Sequence, residues 1–151
     1  MTEIKYEVEV KGSSPLLMNR YIEKPYIPST YIRGALIESG KSVKVQGKGK
    51  ATYSKLIGST LIVEPDAIPL KGEWQPYTIT AVNPMTRGRM SVTRPRFNEW
   101  SLGFRIIATD DIPEDKLAAI LEEAGRYVDI GDPQKKGMFG KFIVTKFRKV
   151  D

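Results

Sequence analysis

The chain has 151 residues, 40% of them hydrophobic, which is the size and composition of one domain with one ordinary core. It has no cysteine and no histidine, which excludes disulfides, zinc ribbons, thiol catalysis and His-based general acid–base chemistry. The net charge of +6 and pI near 9.5 favour a polyanionic partner over a membrane, and no apolar run approaches the roughly 18–20 residues of a membrane span. No signal peptide is recognisable, because the N-terminus already alternates like a strand, so the expected location is the cytoplasm.

Glu3–Lys11 alternates Ile4, Tyr6, Val8 and Val10 with charged residues, the pattern of a half-buried strand. Gly12-Ser13-Ser14-Pro15 ends it, and a connection follows to Pro28. Ser29 or Thr30 reads as an N-cap for a helix at about Thr30–Ser39, with Ile32, Ala35 and Leu36 on the buried stripe and Gly40 as C-cap. Lys41–Lys55 then holds five lysines, no acid and several glycine breaks. It reads as a mobile basic loop in which Lys44, Lys48, Lys50 and Lys55 surround Tyr53, a pattern that fits single-strand binding, with stacked bases and paired phosphates, or a plain solvated loop.

Thr60–Val63 is a short β-rich run. Trp74–Val82 is strand-like, with Tyr77 and Ile79 on one face. Met85–Arg96 reads as a protruding hairpin arm, with Arg87, Arg89, Arg94 and Arg96 and no acid. Arginines at alternate positions are expected on one face, free to fork onto phosphates or stack on bases; Pro95 argues for an exposed edge. Trp100–Ala108 is a core strand by its alternation. Asp110–Val128 is the clearest helix, with Pro113 and three acids near its start and an apolar stripe at Leu117, Ile120, Leu121, Ala124 and Val128. Phe142–Phe147 is the last strand, with Phe142, Val144 and Lys146 on one side and Ile143, Thr145 and Phe147 on the other.

This order, β-α-β-β-α-β with insertions at about 41–58 and 83–97, predicts a single α+β domain of ferredoxin-like fold. Two helices would cover one face of an antiparallel sheet and leave the other free, as in RNA-recognition modules. Eight of the 18 acids fall between Asp110 and Asp132, so one basic and one acidic face are expected.

The segment Gly131–Phe142 carries three glycines and three lysines. Exposed N–H groups with Lys135, Lys136 and Lys141 around Gly137, Phe139 and Gly140 suit phosphate oxygens, or make a solvated turn. No Walker spacing is present. With this loop before the last strand, the chain resembles the RAMP superfamily, the repeat-associated RNA-binding proteins of CRISPR effector complexes. The block Tyr26-Ile27-Pro28-Ser29-Thr30-Tyr31-Ile32-Arg33-Gly34-Ala35-Leu36 is similar to that family's helix start, and Pro15-Leu16-Leu17 to its Pro-Leu after the first strand. The chain is also similar to small phage- and prophage-encoded proteins with related blocks. The resemblance implies that Ser29, Thr30, Arg33, Lys135, Lys136 and Lys141 lie near a nucleic-acid backbone. It also implies that the arginine arm stands where family members carry a thumb.

Catalysis has little support. Tyr21, Glu23 and Tyr26 lie where some family members place a ribonuclease residue, but Glu23 has no second carboxylate nearby. The acids of the second helix show no metal-ligand spacing. The expected protein is therefore non-enzymatic and cofactor-free. It is expected to bind single-stranded RNA or DNA and to assemble as a homo-oligomer or filament along the strand. A RAMP-type endoribonuclease and a viral structural or assembly protein are the alternatives.

Overall fold

A computed structural model describes residues 3–18, 23–47, 49–82, 85–128, 130 and 140–150. The main sheet is built from β1 (Glu3–Gly12), β4 (Ile62–Glu64), β8 (Ser101–Thr109) and β9 (Phe142–Val150), in the order β4-β8-β1-β9, every neighbouring pair antiparallel. Tyr6, Val8 and Val10 of β1 and Leu102, Phe104, Ile106 and Ala108 of β8 are all buried. This is the period-2 burial that their alternation predicts.

Helix α1 (Ser29–Gly40), helix α2 (Tyr53–Thr60) and helix α3 (Glu114–Tyr127) pack with this face. Ile32, Ala35 and Leu36 of α1 and Leu117, Ile120, Leu121 and Ala124 of α3 supply the helical side of the core. Burying such side chains, at about 1.5–3 kcal/mol each, is what holds the layers together. The α+β expectation with antiparallel sheets holds.

Two smaller sheets flank the main one. Strand β2 (Leu16–Leu17) pairs with β7 (Arg89–Phe97), which pairs along its whole length with β6 (Trp74–Val82). Strand β3 (Tyr26–Pro28) pairs with β5 (Ala67–Pro69). The expected arm is thus a two-stranded ribbon, and Trp100 joins its base to the core. The buried indole N–H donates to the Ser14 carbonyl at 2.8 Å. A side chain at Gly12 would meet that indole, since a Cβ there would fall 2.2 Å from its ring nitrogen.

Several expectations are corrected. Lys41–Lys55 is not one basic loop. Tyr53 opens α2, and the preceding segment closes on itself through Val45 N–H to Ala51 O (2.9 Å) and Tyr53 N–H to Val43 O (3.1 Å). A helix with a single buried i, i+4 pair, Tyr53 and Ile57, has too little periodicity to show in sequence. Thr60 therefore ends a helix instead of starting a strand. The N-cap of α1 is Pro28, without a side-chain bond, and Ser29 and Thr30 lie in the first turn; the Ser29 N–H is satisfied by the Asp66 carbonyl at 2.8 Å. Likewise Pro113 precedes α3 as its cap.

In β9 the register slips opposite Glu9/Val10, so Val10 faces Val144 while Val8 faces Phe147. This bulge brings Phe147 to the core side, where it stacks on Tyr6 with centroids 4.9 Å apart. Phe147 therefore does not share a face with Ile143. Pro95 does not mark an edge either. It is buried in β7, between β2 and β6, opposite Pro76. Its carbonyl accepts from the Met18 N–H at 2.9 Å, so in an extended strand its missing N–H lies on that same side and no ladder bond to β6 is lost.

Candidate nucleic-acid interface

The ribbon β6–β7 holds four of the chain's nine arginines. From Trp74 to Asn98 there are four arginines and no Asp, Glu or Lys. Arg87 stands at its tip with φ 58°, and Met85 beside it is 91% exposed. The register divides the remaining arginines. Arg94 and Arg96 lie opposite Tyr77 and Gln75, whereas Arg89 lies opposite Val82. Residue 89 differs from 94 and 96 by an odd number, so in an extended strand it faces the other way. The four arginines are therefore not on one face. On the Arg94 side the Arg96 guanidinium lies over the Tyr77 ring, 5.0 Å from its centroid. On the opposite side Thr78 and Thr93 share a hydroxyl bond of 3.0 Å.

The glycine loop is described only at its end, with Lys135, Lys136, Gly137 and Phe139 outside the described residues. Gly140 is buried with φ 80°, and a Cβ there would lie 1.9 Å from the Ile130 carbonyl oxygen, so only glycine fits. Its N–H donates to Pro15 O at 2.8 Å, and the Lys141 N–H donates to Ser14 Oγ at 3.0 Å. Gly140 is thereby accounted for by packing. The strap Gly12–Met18 holds both this loop end and the ribbon base, through Leu16 opposite Phe97 and Leu17 opposite Arg96. Two of the predicted segments are thus fastened to one stretch of chain.

The helix start behaves differently. The Arg33 side chain donates to Leu61 O at 3.1 Å and to Gly58 O, so it braces the C-terminal end of α2, a favourable place for a cation. These two bonds give the Arg33 side chain a structural role at this helix end. Thr30 is exposed and Ser29 half-buried at the same helix end. The lysine segment sits at the other end of α1, about 18 Å away along a 12-residue helix. Lys44, Lys50 and Lys55 are exposed there, and Lys48 lies outside the described residues. Tyr53 is only 4% exposed, in the core, and offers no ring face to a base. Acids interleave with the basic residues here: Lys41 pairs with Glu38 at 2.9 Å, and the Ser42 hydroxyl donates to Glu123 at 2.7 Å. This end of the molecule is not a purely basic face.

The open face of the main sheet carries cations that the sequence analysis did not single out. Arg148, Lys146 and Arg105 converge on Glu7 at 2.8, 3.4 and 3.6 Å. Hydrogen bonds from Arg148 and then Lys146 hold the Glu7 carboxyl below its ordinary pKa. The residues come from three strands, and only the sheet order brings them together. Two shallow concavities of about 860 and 420 Å³ meet on this face at Glu9 and Gly103. The larger mixes Lys11 and Lys71 with Glu73 and Glu99. Of the residues weighed for catalysis, Tyr21 lies outside the described residues, Glu23 is exposed, and Tyr26 is half-buried in β3 opposite Pro69. Among the described residues no group of three acids is placed to hold a metal ion, and no helix is long and apolar enough to cross a membrane.

No protein-family model matches the sequence, and no curated protein matches it. Among solved structures the chain is similar to a chain of a type III-B Cmr-β complex bound to cognate target RNA, with a TM-score of 0.69 at 12% identity over 99% of this chain and 61% of that one. It is also similar to a chain of a type IV-B CRISPR complex, with a TM-score of 0.54 at 10% identity over 94% of this chain and 90% of that one. The protein spans about three fifths of the length of the first of these. At such identities the likeness is one of fold alone.

Proposed function

We propose that this protein is a non-enzymatic RNA-binding subunit of a multi-subunit ribonucleoprotein assembly, and that the β6–β7 ribbon is its principal contact with single-stranded RNA. The observation that carries this reading is the ribbon: four arginines and no acid over 25 residues, fixed at its base by β2 and Trp100. Arginine forks match phosphate oxygens, and an extended basic ribbon can follow a strand.

The fold supports the reading. With β4 counted as the second strand, the order β4-β8-β1-β9 fits the split β-α-β pattern of ferredoxin-like RNA-binding proteins. The two solved structures are chains of a CRISPR assembly and of a complex bound to target RNA. We place the chain with the RAMP superfamily on this combination and on the glycine loop ahead of β9. The sequence supplies no histidine for acid–base cleavage, which supports binding over hydrolysis. Repetition of the subunit along RNA, with the arm of each copy on the strand, is the assembly that follows.

The test is fluorescence anisotropy with labelled single-stranded RNA, single-stranded DNA and duplex RNA at two salt concentrations. The expected result is preference for single-stranded RNA, weakened steeply by salt as counterions are released. No binding at low ionic strength overturns the proposal, and RNA cleavage by the purified protein overturns its non-enzymatic part.

A further inference from the structure

The two faces of the ribbon are chemically unlike. At its base, one face carries Gln75, Tyr77, Arg94 and Arg96, and the other carries Pro76, Thr78, Thr93 and Pro95. The second also has Trp74 and Phe97 at its foot and Arg89 toward the tip. On the first, the Arg96 guanidinium is already laid over the Tyr77 ring. Tyr77 is half-buried and outside the main core cluster, so its ring is not required to fill the domain interior.

A guanidinium is planar and weakly hydrated, and it stacks on heterocycles as readily as it forks onto phosphate. An aromatic ring beneath it fixes its plane and adds a second π surface. Gln75, opposite Arg96, brings an amide able to donate to and accept from the edge of a base. Phosphate alone would need only the charges.

We propose that Tyr77 and Arg96 form a base-stacking site, so that the ribbon grips single-stranded RNA through a nucleobase on this face as well as through phosphates along the arm. The inference rests on the RNA-binding reading and names the part of the ligand that one face recognises. A base extends the existing guanidinium–tyrosine stack, and the Thr78–Thr93 face turns away from the strand.

The experiment compares two probes of equal length, a labelled oligoadenylate and a labelled abasic oligomer that keeps the phosphates. Their affinities are measured for the wild type, Tyr77→Leu, Tyr77→Phe and Arg96→Lys. The expected result is a loss of about 5- to 100-fold on oligoadenylate for Tyr77→Leu, the range one base stack is worth, with abasic binding unchanged. Tyr77→Phe keeps wild-type affinity. Arg96→Lys, which retains charge but not planarity, loses affinity for oligoadenylate only. Thermal melts of each variant check the fold, and Arg96→Lys decides if Tyr77→Leu melts early. Equal losses on both probes, or no loss for either Tyr77→Leu or Arg96→Lys, overturn the stacking site. If in the same assay alanine at the arm arginines abolishes binding while Tyr77→Leu and Arg96→Lys do nothing, the site fails and the RNA-binding reading stands. If the wild type binds neither probe, both fail.

Discussion

The ribbon and the open face of the main sheet both present several cations, but they dispose of them in opposite ways. On the sheet, Arg105, Lys146 and Arg148 surround Glu7, and carboxylates line the neighbouring concavities. On the ribbon no acid occurs from Trp74 to Asn98. A cation that already faces a carboxylate gives little to an incoming phosphate, because the new contact must replace an old one. A count of positive residues therefore says little about where a polyanion binds. What matters is whether the fold pairs those residues with acids.

The largest expected effect comes from removing the ribbon's charge. Alanine at Arg87, Arg89, Arg94 and Arg96 together is expected to weaken single-stranded RNA binding on the order of 100-fold at low salt, measured by anisotropy. A second change attacks the joint between the two regions. Gly12→Ala places a methyl group in the Trp100 indole and is expected to cost about 1–3 kcal/mol of stability, measured by urea denaturation.

A smaller change makes the sheet resemble the ribbon. Glu7→Gln releases Arg105, Lys146 and Arg148 from their shared carboxylate and is expected to raise RNA affinity about two- to fivefold, the scale of one exposed charge contact. A fall in affinity would mean that Glu7 positions these cations for the ligand. The smallest effect is a pH dependence. The folded protein holds the Glu7 pKa below its ordinary value, so the stability it contributes is present above the unfolded value and lost as pH falls through the folded one. Wild type is then expected to be more stable than Glu7→Gln at neutral pH, with the difference closing below about pH 4 in parallel thermal melts.

Much of this architecture was legible in the sequence, for physical reasons. Strands β1, β6 and β8 and helix α3 are long enough for their periods to show, and the absence of acids from the arm needs no structure to see. What escaped was short or depended on register. Strands β2, β3 and β5 have two or three residues and carry no period. Helix α2 shows one buried pair, so Tyr53 passed for an exposed aromatic in a basic loop. The division of Arg89 from Arg94 and Arg96 follows from parity alone and was available from the sequence. The Tyr77–Arg96 contact also required knowing which residues of β6 and β7 face each other. The Glu7 cluster required the strand order, and Arg33 could not be seen as a brace without α2 to brace.

The comparison rests on one claim, that the ribbon's arginines and not the Glu7-held cations of the sheet carry the phosphate contacts. The most direct test is the slope of log affinity against log salt for single-stranded RNA. It is measured for the wild type, for alanine at the four ribbon arginines, and for alanine at Arg105, Lys146 and Arg148. The account predicts that the slope flattens by about 3 for the ribbon variant, as four phosphate contacts require, and stays at the wild-type value for the sheet variant. A sheet variant that flattens the slope as much as the ribbon variant does would contradict it.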